Sequence, residues 1–515
     1  MRKQYRKYGI VILWFLCLTI KAQSPLLLEV NINDTIDGFY LTLHYIEKQT
    51  GTQFHYSSII EPQDFKPIAP GRYTIKQILD TLLDSKQVSY IDVAGAIVLS
   101  PKENNTPDYH KIAGTISSEK GEKFVPFANI YIKNTSVGTI SNYNGKFQLL
   151  VPDSLWGDTL VISAISYEMK KIAIEQYINS KLLVELNIQR IPIKYVLIRP
   201  NDAQELVEKA YKNRNKNYNT STEYMYGFFR EYNKQQDNYI AINEAVVNLI
   251  KQAYNSAKND LVSIKKGRKG TNISESKFVN LTVKGGLYNS LQLDIIKYPV
   301  PFFSDEIPEV YKFWNEKSTI YNGRSTFVIG FKNAFETEIA NYKGRFYIDI
   351  ETLALVRVEF ELDEVGIKKA REILIKKVPL GLKAYPLYAK YVTEYRFYED
   401  KWHFSHAQSE VKIKVKSRKR NKQEKFNSDF VSYSNLVVTG INPQAFPKSV
   451  QKTAANADDI FVEQIDELED KFWEGNNIII PEKSLIETLK DLQIKGIIGK
   501  EHNFISIENT DSILN

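Results

Sequence analysis

Cysteine is nearly absent: of 515 residues only Cys17 carries a thiol, and it lies in the apolar stretch from Gly9 to Ile20. That stretch follows a basic opening of Arg2, Lys3, Arg6 and Lys7 and precedes Ala22, the layout of a signal peptide cleaved near Ala22 or Gln23. A dozen apolar residues fall short of the roughly 20 that a membrane-crossing helix needs. Bulky Leu16 stands where a lipoprotein signal requires a small residue before its cysteine. The exported remainder then lacks any disulfide, thiolate metal site or cysteine nucleophile, and burial alone must hold it together. Excess charge is missing as well. The formal charge of +7 falls to about +2 once the five basic residues of the signal are set aside, which removes a whole-chain case for nucleic-acid binding.

Catalytic signatures are also scarce. No G-x-S-x-G, H-E-x-x-H, phosphate-binding loop or dinucleotide glycine fingerprint occurs in the sequence. "NTSVG" places Asn134 where a nucleophile elbow needs glycine. "HYIE" gives His44 and Glu47 the three-residue spacing of a helical metal pair, without a third ligand or a histidine partner nearby. "HFSH" sets His403 and His406 three apart on an expected strand, hence on opposite faces unless a bulge intervenes. "KGRKG" (266–270) reads as a basic turn without a phosphate-binding frame, and Asp305 and Glu306 as loop carboxylates. The expectation is a non-enzymatic protein with no catalytic residue, no metal site and no cofactor.

What is present is organised in segments. After the signal (1–23), residues 26–100 read as a small α/β unit. Phe39, Leu43 and Ile46 share a helical face ending at Gly51. Thr74 and Gln77 form a capping box ahead of Ile75, Ile78, Leu79 and Leu82. "VSYIDV" and "AIVLSP" follow as strands. This segment resembles the short N-terminal domain of secretins and TonB-dependent receptors, which implies a periplasmic module for protein contacts. A polar stretch bounded by prolines, 101–110, reads as a linker.

Residues 111–190 are short alternating runs joined by Gly, Asn and Pro, the pattern of a small β-sandwich, with Asn144-Gly145 expected to close a tight hairpin. The ordered set "AGTI", "VPFANIYIKNTSVGTISN", "NGKFQLLVP" and "LVISAISYE" resembles the carboxypeptidase-like regulatory domain of Bacteroidota envelope proteins, which implies a transthyretin-like sandwich that supplies no peptidase residues. Asn142 stands where that family often carries Asp, so a carboxylate role does not carry over.

From residue 200 to 515 the chain opens with a helix, "NDAQELVEKAYKNR", then runs as hairpins. In "RFYIDIETLALVRVEFEL", Phe346, Ile348 and Ile350 share one face, as do Val356, Val358 and Phe360. Arg357, Glu359 and Glu361 take the other, an expected wet side. Asn322-Gly323 marks another hairpin. "DIFVEQIDELEDKFWE" and "PEKSLIETLKDL" read as two terminal helices. The segment resembles the uncharacterised C-terminal region of the same regulatory-domain proteins, which implies no chemistry.

The fold class expected is therefore mainly β with α+β parts: an α/β module, a sandwich, and a larger antiparallel domain flanked by helices. The expected role is binding, scaffolding or envelope transport and signalling, in the periplasm and associated with the outer membrane. The alternatives are an outer-membrane β-barrel component, against which few strands of barrel length are read, and a hydrolase using scattered carboxylates. Expected partners are another envelope protein or an apolar or glycan ligand in an aromatic-lined groove. An anionic membrane surface is a further partner, met by Lys412, Lys414, Lys416, Arg418, Lys419 and Arg420.

Overall fold

The computed structural model describes residues 24–56, 67–83, 88–93, 95–101, 109–118, 121–174, 181–189, 202–236, 238–271, 281–284, 286–299, 310–335, 341–378, 380–417, 427–465 and 475–482. The signal stretch, Asp305, Glu306 and the polar positions 102–108 lie outside these. The chain divides into two compact units, Met1–Asp108 and Tyr109–Asn515. No helix among the described residues is long and apolar enough to cross a membrane.

In the first unit, β1 (Glu29–Ile32) precedes α1 (Phe39–Thr50), which buries Phe39, Thr42, Leu43 and Ile46 and stops where Gly51 takes φ 72°. β2 (Phe54–Tyr56), β3 (Gly71–Thr74) and α2 (Ile75–Leu82) follow. Thr74 and Gln77 make the reciprocal capping box that the spacing predicts. β4 (Val88–Val93) and β5 (Ala96–Pro101) pair antiparallel, while β2 joins β5 in parallel. Strand β5 thus reaches Pro101, into the stretch read as linker.

The second unit opens with a two-sheet sandwich. Its strands are β6 (Tyr109–Ser118), β7 (Lys123–Phe124), β8 (Asn129–Ile132), β9 (Gly138–Ile140), β10 (Lys146–Pro152), β11 (Thr159–Ser163), β12 (Lys170–Ala173) and β13 (Lys181–Leu186). One sheet runs β10-β6-β13 and the other β12-β11-β8-β9, closing over Ile116, Ile130, Phe147, Leu149 and Ile162. The Asn144-Gly145 turn does not join hairpin partners. Its flanking strands, β9 and β10, belong to different sheets, so the turn carries the chain across the sandwich. Asn142 shapes the crossing: its Oδ1 accepts from the backbone N–H of Asn144 and Lys146, and Gly145 takes φ 69°.

Then come α3 (Asp202–Lys212), α4 (Arg214–Asn217), β14 (Glu223–Gln235), β15 (Asn238–Lys251), β16 (Leu261–Thr271), β17 (Thr282–Val283), α5 (Gly286–Leu291), β18 (Tyr311–Asn315), β19 (Thr319–Tyr321), β20 (Arg324–Asn333), β21 (Tyr342–Asp349), β22 (Leu355–Leu362), β23 (Ile375–Lys377), β24 (Leu382–Tyr398), β25 (Lys401–Ser417) and β26 (Asn427–Asn442). Eleven of these strands form one sheet ordered β16-β15-β14-β26-β25-β24-β22-β21-β20-β18, with β19 beside β20. Several strands exceed the length the sequence led us to expect; β24 and β25 each span 17 residues. The sheet is nonetheless open among the described residues, because β16 and β18 end the order without pairing to each other.

The register explains the layering. Ile329, Phe346, Val358, Thr393, Ala407, Leu436, Phe229 and Ala245 stand opposite one another across successive strands. This row faces α3 and α5, whose Ala203, Val207, Ala210, Leu287 and Leu291 belong to the same buried cluster. Each large side chain buried there contributes about 1.5–3 kcal/mol.

Two expectations fail nearby. "KGRKG" is not a turn but part of β16, its Arg268 and Lys269 alternating across the strand. The first expected terminal helix begins as a single 3₁₀ turn, Phe461–Gln464, which buries Phe461. The rest of it, and the second helix beyond residue 482, lie outside the described residues.

Candidate functional site: the charged face of the large sheet

The opposite face of the sheet carries a transverse row of its own. From β18 to β16 it reads Trp314, Gly330, Arg345, Glu359, Val392, Gln408, Asn435, Arg230, Glu244, Arg268. Alternation alone makes this side polar. The expected wet surface, however, is dry over half its width, because the sandwich and residues 477–480 lie on it. Ser136 Oγ accepts from Ile441 N, Ser163 Oγ donates to Asn322 Oδ1 at 2.6 Å, and Phe127 stacks on His406 at 6.3 Å.

Under that cover the Glu244 and Glu394 carboxylates are matched in place. Glu244, fully buried, receives Arg230 at 2.6 Å and Arg268 at 2.5 Å, and Arg230 also donates to Ile479 O. Burial alone would raise the Glu244 carboxyl, yet the two guanidiniums hold it below the usual range. His406 meets Glu394 through Nδ1 at 3.3 Å and Asn435 Oδ1 through Nε2 at 2.9 Å. Glu394 is in turn bound by Arg357. Burial, then the Arg357 charge, pushes the His406 imidazole down to about 3, so it is neutral near pH 7. His403 is anchored separately, to Glu223 at 2.7 Å and Tyr398 O.

The two histidines do not obey strict alternation. A bulge at Ser405 shifts the register, so His403 pairs with Arg396 and His406 with Glu394, two positions apart on β24. They still have different partners, and no group of three metal-ligating side chains exists among the described residues. His44 and Glu47 sit 3.8 Å apart on the exposed side of α1.

A third ion cluster lies at the end of β15. Lys251 reaches Asp260 at 2.5 Å and Asp294 at 2.7 Å, all three buried, and Tyr254 and Tyr395 donate to Asp294. Burial would lower the lysine, but the two aspartates win and raise it. One carboxyl stands apart: Glu231 on β14 is pushed up to about 7 by burial, offset by a hydrogen bond from Asn243.

Beyond the sandwich the same face is open. A groove of about 480 Å³ runs over β18, β20, β21, β22 and β24. Its walls are Trp314, Lys332, Lys343, Arg345, Glu359, Glu361 and Lys390. Gly330 lets the indole lie flat on the sheet, since any β-carbon there would collide with the ring. Trp314 donates through Nε1 to Glu316 at 3.2 Å, Glu316 pairs with Arg345 at 2.7 Å, and 39% of the tryptophan stays exposed. In the sequence Trp314 is marked only as an indole on a short strand among charged neighbours.

The basic run is less free than its composition implies. Lys412 and Lys414 do share a face, and both pair with Asp429, at 3.0 and 2.8 Å. Lys416 lies over the Tyr385 ring, 6.0 Å from its centroid. Arg418, Lys419 and Arg420 fall outside the described residues.

Residues 112–195 match the model of the CarboxypepD_reg-like domain family. No curated protein matches the chain. Among solved structures it is similar to MucB in complex with MucA(peri), at 10% identity over 48% of this chain and 100% of that one, TM-score 0.15. A DUF1329 family protein from Desulfovibrio piger matches at 8% identity over 48% and 95%, TM-score 0.22. A putative membrane-associated protein of unknown function from Bacteroides fragilis matches at 13% identity over 65% and 98%, TM-score 0.13. Scores this low carry no functional argument.

Proposed function

We propose that this chain is an exported, non-enzymatic binding protein of the cell envelope, working in the periplasm against the outer membrane. In this reading the N-terminal α/β module and the sandwich attach or space the large sheet. The sheet takes a hydroxyl-rich ligand, a glycan, in the groove beside Trp314. The observation that carries the reading is the half-exposed indole laid flat beside Glu316, Arg345, Lys343 and Glu361. A flat aromatic face stacks on the apolar side of a sugar ring, and fixed charges on both sides accept and donate to its hydroxyls. The closed ion clusters under the sandwich support the non-enzymatic part, because their charged groups bond to one another rather than point into a cleft.

The test is fluorescence titration of the full chain with soluble oligosaccharides of chitin, mannan and dextran type, beside Trp314→Ala. Saturable binding that Trp314→Ala weakens by roughly tenfold or more supports the groove, in line with about 1–2 kcal/mol for a stacked aromatic. Absence of binding to the whole panel, or a variant that binds as the parent does, removes it.

A further inference from the structure

A second cavity, of about 460 Å³, opens where the sandwich meets the β24–β25 turn. Its innermost charge is Arg396, only 8% exposed. The Nη2 of Arg396 donates to Ser136 O at 2.5 Å, and its guanidinium stands 5.5 Å from the centroid of Tyr131. Gly138 makes room for it: a β-carbon there would collide with Nη1. No carboxylate among the described residues lies within ion-pair distance of this group. The titratable neighbours acting on it are the hydroxyls of Tyr131, Tyr321 and Tyr398.

That sets Arg396 apart from the other well-buried guanidiniums. Arg230 and Arg268 share Glu244, and Arg357 is met by Glu359 and Glu394. An unmatched buried cation is expensive, since its desolvation is not offset by a counter-charge. The fold nevertheless clears space for it at the bottom of an open cavity. Lys133 and Lys171 line the mouth, both exposed and neither in an ion pair among the described residues. Arg324, also lining it, is already held by Asp349 and Glu351. Two acids face these cations from the turn, Glu399, which accepts from Tyr398, and Asp400.

We propose that this cavity binds the phosphate of a polyol ester, with Arg396 at its base and Lys133 and Lys171 at its mouth, while Glu399 and Asp400 accept from the ester's hydroxyls. A guanidinium fork suits two oxygens of a phosphate, and the two acids disfavour a bare polyanion relative to a hydroxylated ester. Such a phosphate comes either from a soluble polyol phosphate or from a lipid headgroup. The site shares no residue with the Trp314 groove, so either can fail alone.

The experiment is calorimetric titration of the full chain with glycerol 3-phosphate and with inorganic phosphate at constant ionic strength, and co-sedimentation with phosphatidylglycerol vesicles against phosphatidylcholine. The variants are Arg396→Gln and the surface pair Lys133→Gln with Lys171→Gln. Saturable binding of the ester, tighter than inorganic phosphate and weakened roughly tenfold by each variant, supports the site. Binding to phosphatidylglycerol with the same variant sensitivity, without the soluble ester, assigns the lipid source. No saturable binding to either probe overturns it, as does binding that the variants leave within about twofold. Should Arg396→Gln fail to fold, the surface pair alone decides.

Discussion

The charged face of the large sheet has two halves built on one register and governed by different energetics. Beneath the sandwich, Glu244 and its two arginines are buried. A few strands away, Lys343 and Glu361 stand 3.3 Å apart with 46% and 33% of their side chains exposed. The sequence writes both as alternating charges. Cover decides which become supports and which remain available to a ligand: water screens the open pair, while little water reaches the buried triad to screen its charges.

Removing one member is the sharpest way to expose that difference. Glu244→Ala leaves two buried guanidiniums without their shared carboxylate and should cost about 3–5 kcal/mol of folding stability, read by urea denaturation. A loss near 1 kcal/mol would mean that water reaches the covered half. His406 gives the next largest effect. Its folded pKa, about 3, lies below the ordinary value of 6.5, so the unfolded chain binds the proton more readily. Stability is therefore full above about pH 6.5 and falls on acidification toward 3, by at most about 1.4 kcal/mol per pH unit. His406→Gln should flatten that part of the profile, and an unchanged slope would place the titration elsewhere. Glu361→Ala, on the open half, should change stability by less than about 1 kcal/mol. A larger loss would erase the contrast between the halves.

Much of the layering was legible beforehand because it is local. The capping box at Thr74 and Gln77, the stop at Gly51 and the split of Phe346 and Val358 from Arg357 and Glu359 need only neighbours in sequence. The hairpin at Asn322-Gly323 also forms as read, with Tyr321 opposite Arg324. Partners chosen over distance were not legible. Asn144-Gly145 has hairpin chemistry, yet its strands find mates in separate sheets. The bulge at Ser405 leaves no mark in "HFSH". Glu244 meets one arginine 14 residues before it and another 24 after, and nothing in composition marks them as a triad. Arg396 was hidden for the same reason: its isolation becomes visible only once Ser136 and Gly138 are folded against it.

Residues 477–480 act as a stitch through the second unit. Asn477 accepts from Leu150 N, Ile478 O from Thr139, Ile479 O from Arg230 and Ile480 O from Asn142. These contacts span 249 to 339 positions of chain. A ribosome delivers them only after the sandwich and all eleven strands of the sheet have been made. The hydrogen bonds that residues 477–480 add to the seam, the one from Arg230 of the triad among them, thus close only after both bodies have been synthesised.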